Sequence, residues 1–303
     1  MTKIERVAED VYVFTSELYA QVTAGAVVSN DGAAIIDTLA YPSETMDLRR
    51  FIENRIGCPV RYVINTHFHA DHTYGTCLLP QAQVIGHALC RELLDTRGRA
   101  ALAEAKVSSS ALDTIEVVLP DILVEDGGLN LHLGDKTLSL THSPGHSPDM
   151  ITVLIREDRI LFASDTVMAL PFVGDGDLED LIKSLEAILD LELENVVQGH
   201  GEVILRGEID STIKKYIKYL KTIRSAVTRA VKSRYTKSAL RKLDLESVGL
   251  ERILLAGLAE ELHWRNLSLM YDQLKEVLEP YKRHPRPKTK TKAKAKAKGK
   301  RKN

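Results

Sequence analysis

Within six residues, His67-Phe-His69-Ala-Asp71-His72, the chain places three imidazoles and one carboxylate. Imidazole nitrogen and carboxylate oxygen are the donors that a borderline divalent ion such as zinc prefers. The segment follows Val60-Arg-Tyr-Val-Ile-Asn65, a β-branched and aromatic run that reads as a buried strand. The chain therefore leaves a strand at Asn65-Thr66 and enters an irregular loop, where side chains at i, i+2, i+4 and i+5 can converge on one point. Read as an ordinary polar loop, the segment is poor electrostatics, because crowding three imidazoles against one carboxylate without a cation is unfavourable. The chemistry it points to is metal binding.

Three later segments have the same character, each just after a strand-like run. Thr141-His142-Ser-Pro-Gly145-His146 follows Leu138-Ser-Leu140, Ser164-Asp165-Thr166 follows Ile160-Leu-Phe-Ala163, and Gln198-Gly199-His200-Gly201 follows Val196-Val197. Small residues beside His146 and His200 let the backbone come close to a metal and its substrate. Strand ends gathered at one edge of a sandwich can assemble ligands from distant sequence. Ser147 and Cys77 lie near these segments with no base assigned to them, so structural roles are expected. His87, His132 and His284 read as ordinary, and His263, with Trp264 and Asn266, reads as part of a packed helix face.

The elements that must position these residues are mostly short strands. Val11-Tyr-Val-Phe14, Ala24–Val28 and Ala33–Ile36 come first, with Asn30-Asp31-Gly32 turning between the last two. Ser43 is expected to cap a helix through Leu48, Phe51, Ile52 and Ile56, ended by Gly57 and Pro59. Gln83–Gly86 reads as a strand and 88–106 as a helix containing Gly98. Hairpins are expected at Leu129–Leu133 with Thr137–Thr141 and at Met150–Ile155 with Arg159–Ala163. The run from Leu178 to Leu189 keeps a helical period. Interleaved helices and frequent hairpins fit layered mixed sheets better than one all-parallel sheet, an α/β class. From about 209 the pattern is helical: Ile213, Tyr216, Ile217, Leu220, Ile223, Val227 and Val231 form one face, and Leu250 to Leu274 suggest one or two more helices.

The formal net charge of −1 conceals two unlike parts. Twelve of the 41 Lys and Arg lie in 282–303, which has no Asp or Glu, leaving 29 basic against 42 acidic residues, about −13, in the rest. The tail 284–303 is a low-complexity Lys repeat that cannot bury a core and is expected to be disordered. The expected division is 1–208, 209–283 and 284–303. Cys58, Cys77 and Cys90 have no framework spacing and are expected to be reduced. The charged N-terminus lacks the apolar core of a leader and no apolar run is long enough to span a bilayer, so a cytoplasmic protein without membrane insertion is expected.

The set His67-x-His69-x-Asp71-His72, His146 in Ser-Pro-Gly-His, Asp165 and His200 in Gly-His-Gly resembles the metallo-β-lactamase superfamily of hydrolases, over roughly residues 7–205. Asp37 in Ile35-Ile-Asp-Thr38 matches the aspartate that family carries ahead of its histidine motif. The resemblance implies an αβ/βα sandwich, two mixed sheets back to back with helices outside, followed by a helical C-terminal extension. It implies a first metal on His67, His69 and His146, a second on Asp71, His72 and His200, and Asp165 bridging both. It leaves His142 out of the ligands and gives Asp37 the role of orienting a ligand or its loop, as ligating imidazoles need their other nitrogen fixed. Two divalent ions, zinc with iron or manganese as alternatives, would share a water and lower its pKa to near neutrality. Asp71 is the expected proton relay.

The resemblance does not name a substrate, since one fold hosts many chemistries. A nuclease with a large inserted domain needs it between Asp165 and His200, which are only 35 positions apart. The basic tail can still attract nucleic acid or another polyanion through phosphates, without aromatics for base stacking, and a phosphodiesterase is one alternative. Di-iron flavoprotein reductases carry a carboxylate where His69 stands; a mono-iron sulfur dioxygenase keeps the same histidines and is the other alternative. Secreted β-lactamases usually carry a leader. Glyoxalase-II-type thioesterases append helices that bind substrate, as 209–282 would, though no glutathione-binding set is recognisable. Lactonases often place a tyrosine after the bridging aspartate, where this chain has Thr166-Val-Met-Ala-Leu-Pro-Phe172; Met168, Leu170, Phe172 and Val173 are read either as an apolar pocket wall or as loop packing. The expected activity is hydrolysis of a small ester, thioester or lactone, with β-lactams included. Self-association is left open.

Overall fold

The computed structural model describes residues 2–125, 127–252 and 254–278. The first sheet holds β1 (Thr2–Ala8), β2 (Val11–Ser16), β3 (Thr23–Ser29), β4 (Gly32–Ile36), β5 (Val60–Asn65), β6 (Gln83–His87) and β7 (Ile122–Val124), in that spatial order. It is antiparallel from β1 to β4 and parallel from β4 to β7. The second sheet contains β8 (Leu129–Leu133), β9 (Lys136–His142), β10 (Ile151–Ile155), β11 (Ile160–Met168), β12 (Asn195–His200) and β13 (Ile204–Leu205), in the order β13-β12-β11-β10-β9-β8. Only β11 and β12 pair parallel there. The two mixed sheets of the expected α/β sandwich are therefore present.

Alternation along the strands explains why the sheets stack. Val11, Val13, Val27, Ile36 and Ile64 of the first sheet meet Leu138, Leu140, Val153, Phe162 and Val197 of the second in one buried layer. The opposite faces need covering. On the first sheet, Ile35, Val63 and Phe14 are covered by Leu48 and Ile52, which lie on α1 (Pro42–Arg50) and its π-helical continuation Phe51–Ile56. The chain then runs through α2 (Ala70–Thr73), α3 (Ala88–Leu93), α4 (Arg99–Ser108) and α5 (Leu178–Ile188) to two long C-terminal helices, α6 (Arg206–Lys232) and α7 (Ala259–Leu278). Leu161 and Val196 of the second sheet share a core with Leu181 and Leu185 of α5, Ile213 and Leu220 of α6, and Leu267 and Met270 of α7. The C-terminal helices thus lean on the sheet that carries Asp165 and His200. The expected boundary at 208/209 falls inside the first turn of α6, and the Lys-rich tail, with His284, lies outside the described residues.

Some expectations need correction. Ser43 is not the cap of α1: Pro42 occupies the first turn and Tyr41 takes the N-cap position without a side-chain bond. Proline lacks an N–H and brings a preset φ, so it starts the helix two residues earlier than a Ser43 cap would. The helix expected at 88–106 is present over 88–108, with a π-helical stretch, Leu94–Gly98, between α3 and α4. Asp165 lies within β11 rather than after it, because parallel pairing with β12 carries the strand on to Met168 through register breaks at Ser164. Among the described residues no helix is long and apolar enough to cross a membrane.

Candidate metal centre

The loop after β5, the loop after β9, the middle of β11 and the end of β12 meet at one edge of the sandwich. They bring together two groups of donors, His67, His69, His146 and Asp165, and Asp71, His72 and His200, each with ligand atoms within 4.8 Å of one another. In the first, His69 Nδ1 lies 3.0 Å from His67 Nε2 and 2.9 Å from His146 Nε2. Asp165 Oδ2 is 3.2 Å from His146 Nε2 and 3.8 Å from His67 Nε2. In the second, Asp71 Oδ2 is 3.2 Å from His200 Nε2 and 3.8 Å from His72 Nε2. Asp165 Oδ1 stands 3.3 Å from His72 Nε2 and 3.6 Å from His200 Nε2. Asp165 is the residue that faces both groups. Close approach there requires Gly199, because a Cβ at that position would fall 1.9 Å from Asp165 Oδ1.

The other nitrogen of every imidazole is already engaged. His67 Nδ1 donates to the Thr66 hydroxyl at 3.1 Å and His72 Nδ1 to Asp37 Oδ2 at 2.8 Å. His69 Nε2 donates to Asp175 Oδ2 at 3.0 Å. His146 Nδ1 and His200 Nδ1 donate to the carbonyls of Phe172 and Ala20, at 2.8 and 3.0 Å. A carbonyl can only accept, so these contacts fix the tautomers and leave bare lone pairs pointing inward. Three such lone pairs about His69 Nδ1 cannot hydrogen-bond one another. His72 Nε2 and Asp165 Oδ1 are buried with no hydrogen-bond partner. Buried polar atoms without partners are costly; a divalent cation answers all of them at once, and nitrogen with carboxylate oxygen suits zinc, iron or manganese.

Asp37 organises the second group from behind. Fully inside the protein, it accepts from the Thr66 N–H and hydroxyl, the Ser164 hydroxyl and His72. Asp37 and Ser164 both adopt left-handed backbone, φ 59° and 44°. Such strain in non-glycine residues clusters where geometry serves function.

Burial holds the His67 imidazolium well below its ordinary pKa and brings His146 down to about 4, so both rings are neutral at neutral pH. Burial acts the same way on His72 and His200, but the carboxylates of Asp165, Asp37 and Asp71 outweigh it for His72, as Asp165 and Asp71 do for His200. Both are raised. Burial would raise Asp71 and Asp165, yet the surrounding imidazoles keep both carboxyls ionised. An ion in the first group meets neutral His67 and His146, whereas one in the second competes with protons for His72 and His200 as the pH falls. On lowering the pH from 8 towards 5.5, the second ion is expected to leave first. Metal content after dialysis at graded pH checks this; loss of the first ion before the second contradicts it.

The remaining expected residues are placed elsewhere. His142 stacks on His87, ring centroids 4.2 Å apart, and bonds the Pro148 carbonyl. The Ser147 hydroxyl donates to Asp149 and the Cys77 thiol to the Tyr74 carbonyl. His263 is buried between Tyr219 and the Leu243 carbonyl, away from the cluster. Leu170 and Val173 pack in the core shared with the C-terminal helices and Met168 is buried, while the Phe172 ring lies near the site, 5.8 Å from that of His146. Asp175 and Tyr19 were not foreseen. Glycines on either side of Asp175 were its one signal. Tyr19 stands at the mouth, 43% exposed, edge-on to His200 at 6.5 Å. The negative charge of Asp71, with burial, pushes its phenol up to about 12, so it is a hydrogen-bond donor at neutral pH.

A family model described as the metallo-beta-lactamase superfamily matches residues 19–200. The chain is 26% identical over 161 residues to a beta-lactamase-like protein 2 homolog of Caenorhabditis elegans, covering 53% of this chain and 47% of that protein. It is 27% identical over 188 residues to thioesterase pkgB of Emericella nidulans, covering 60% and 46%. The chain therefore spans about half the length of the curated relatives it matches. A metallo-beta-lactamase crystal structure from Hirschia baltica superposes with a TM-score of 0.57 at 18% identity, covering 71% of this chain and 97% of that one.

Proposed function

Because this chain belongs to the metallo-β-lactamase superfamily, we propose that it is a metal-dependent hydrolase of small esters, thioesters or lactones. In this reading His67, His69 and His146 would hold one divalent ion, zinc for preference, Asp71, His72 and His200 would hold a second, and Asp165, which faces both groups, would serve both. The observation that carries it is the inward set of imidazole lone pairs, each with its opposite nitrogen already committed. When bound, such a pair of ions lowers the pKa of a shared water towards neutrality and polarises a carbonyl.

The protein's own groups supply the rest. Asp71 keeps its carboxyl ionised at the rim, 18% exposed, and can accept the proton of an attacking water. Asp37 and Asp175 hold the rings of His72 and His69 in one orientation. The Tyr19 phenol is positioned to donate to a substrate oxygen on the side of His200. No protein nucleophile is needed, since Ser147 spends its hydroxyl on Asp149.

Relatives named as thioesterases favour a thioester within this class. The test is a panel of thioesters, esters, lactones, β-lactams and phosphodiesters with metal-loaded and metal-stripped protein. Hydrolysis of a thioester, ester or lactone that disappears on stripping is expected. Cleavage of phosphodiesters alone, or turnover indifferent to metal, would overturn the proposal.

A further inference from the structure

We infer that Asn266, on α7, is a positioning residue for the first ion's ligands, acting by clamping the loop 171–175 that orients His146 and His69. The inference rests on the metal-binding reading above and extends it to the C-terminal helices.

Asn266 is completely buried. Its Oδ1 accepts the Val173 N–H at 3.0 Å, and its Nδ2 donates to the Pro171 carbonyl at 2.8 Å and the Tyr219 hydroxyl at 3.2 Å. The residue between the two clamped positions is Phe172, whose carbonyl receives the His146 Nδ1–H. Two residues beyond Val173, Asp175 takes the His69 Nε2–H. One loop therefore engages the outward nitrogens of two of the three imidazoles in the first group, and one amide side chain grips it on both sides of Phe172.

The loop has little room to adjust by itself. Gly174 has φ +57°, and a Cβ there would lie 2.8 Å from the His146 carbonyl oxygen and 2.9 Å from its ring. Asn266 is in turn held in one orientation. His263 Nε2–H donates to the Leu243 carbonyl, which leaves Nδ1 to accept the Tyr219 hydroxyl proton; the Tyr219 oxygen then accepts from Asn266 Nδ2. Each proton in the chain has one consistent direction, so the amide cannot flip without breaking several bonds. Histidine orientation by such outer contacts is worth about 10–100-fold in metal affinity.

The experiment is competitive titration of metal-stripped full-length protein with zinc against a chromophoric chelator. It is run in a His72→Ala background, which reports the first position, and in a His67→Ala background, which reports the second. Asn266→Ala is expected to weaken first-position binding by about 10–100-fold and to leave the second within about twofold. Asn266→Asp keeps the shape and the acceptor for Val173 but sets an oxygen against the Pro171 carbonyl; it should weaken the first position too, and it carries the test if the alanine variant does not fold. Tyr219→Phe spares both loop bonds and should leave first-position affinity near wild type. In the metal-free protein, amide exchange at Val173 should speed up in the Asn266 variants. Folded variants with unchanged first-position affinity, or with both positions weakened alike, overturn the inference. A wild-type chain that binds no zinc overturns the metal-binding reading instead.

Discussion

Asp165→Ala is expected to lower turnover by about a thousandfold or more and to cost the chain both ions while its fold persists. One oxygen of this carboxylate faces His146 and His67 at 3.2 and 3.8 Å, the other His72 and His200 at 3.3 and 3.6 Å. Removing it takes a donor from each group and the negative charge that two dications would share. Its charged partners are the four site histidines rather than groups of the hydrophobic core. Circular dichroism, metal content and kcat measured together read the result. An alanine variant within tenfold of wild-type activity, or one that keeps both ions, would remove Asp165 from the bridging role. His67→Ala, which takes a donor from the first group only, should cost turnover comparably but leave the second ion.

Stripping the metal should lower thermal stability as well as activity. The free site sets lone pairs against one another at about His69 Nδ1 and leaves His72 Nε2 and Asp165 Oδ1 buried without partners. An ion that binds only the folded chain stabilises it by about 4 kcal/mol when present at a thousand times its Kd. For a chain of this size each kcal/mol moves Tm by about 2 °C, so chelation should lower Tm by about 8 °C, and zinc should restore it. Scanning calorimetry with and without chelator makes the comparison. An unchanged Tm, or a rise on stripping, would mean that no ion is coupled to folding.

The donors of the site were legible in the sequence because imidazoles and carboxylates carry their chemistry in their side chains. His67, His69, Asp71 and His72 sit close together in sequence, and strand-end placement was enough to draw in His146 and His200, while Asp165 was drawn in behind a strand that in fact runs on past it. Asp37 was found by resemblance to a family pattern, and the structure shows the contacts behind it. What orients the rings was less visible. The carbonyls of Phe172 and Ala20 are backbone atoms with no residue signature. Asp175 lies among other acidic residues in a glycine-rich loop, and only its two flanking glycines set it apart from Asp177, which caps α5. Asn266 reaches the loop across 93 positions of sequence, a separation no local pattern encodes.

The fold divides in the same way. Hairpins with turn residues and alternating cores were readable, as were the apolar stripe of α6 and the Gly57 stop. The edge strand β1 was not, because its residues Lys3, Glu5 and Arg6 leave no buried alternation. Nor was β13, a two-residue strand defined only by its partner β12. Ser43 was a plausible cap by type, and the preceding proline decided otherwise.

Metal stoichiometry tests the central claim most directly. Metal-stripped chain titrated with zinc should take up two ions per polypeptide, the first retained to lower pH than the second, and Asp165→Ala should take up neither tightly. A wild-type chain that binds no zinc, or that binds it equally well without His146 and His200, would contradict the account.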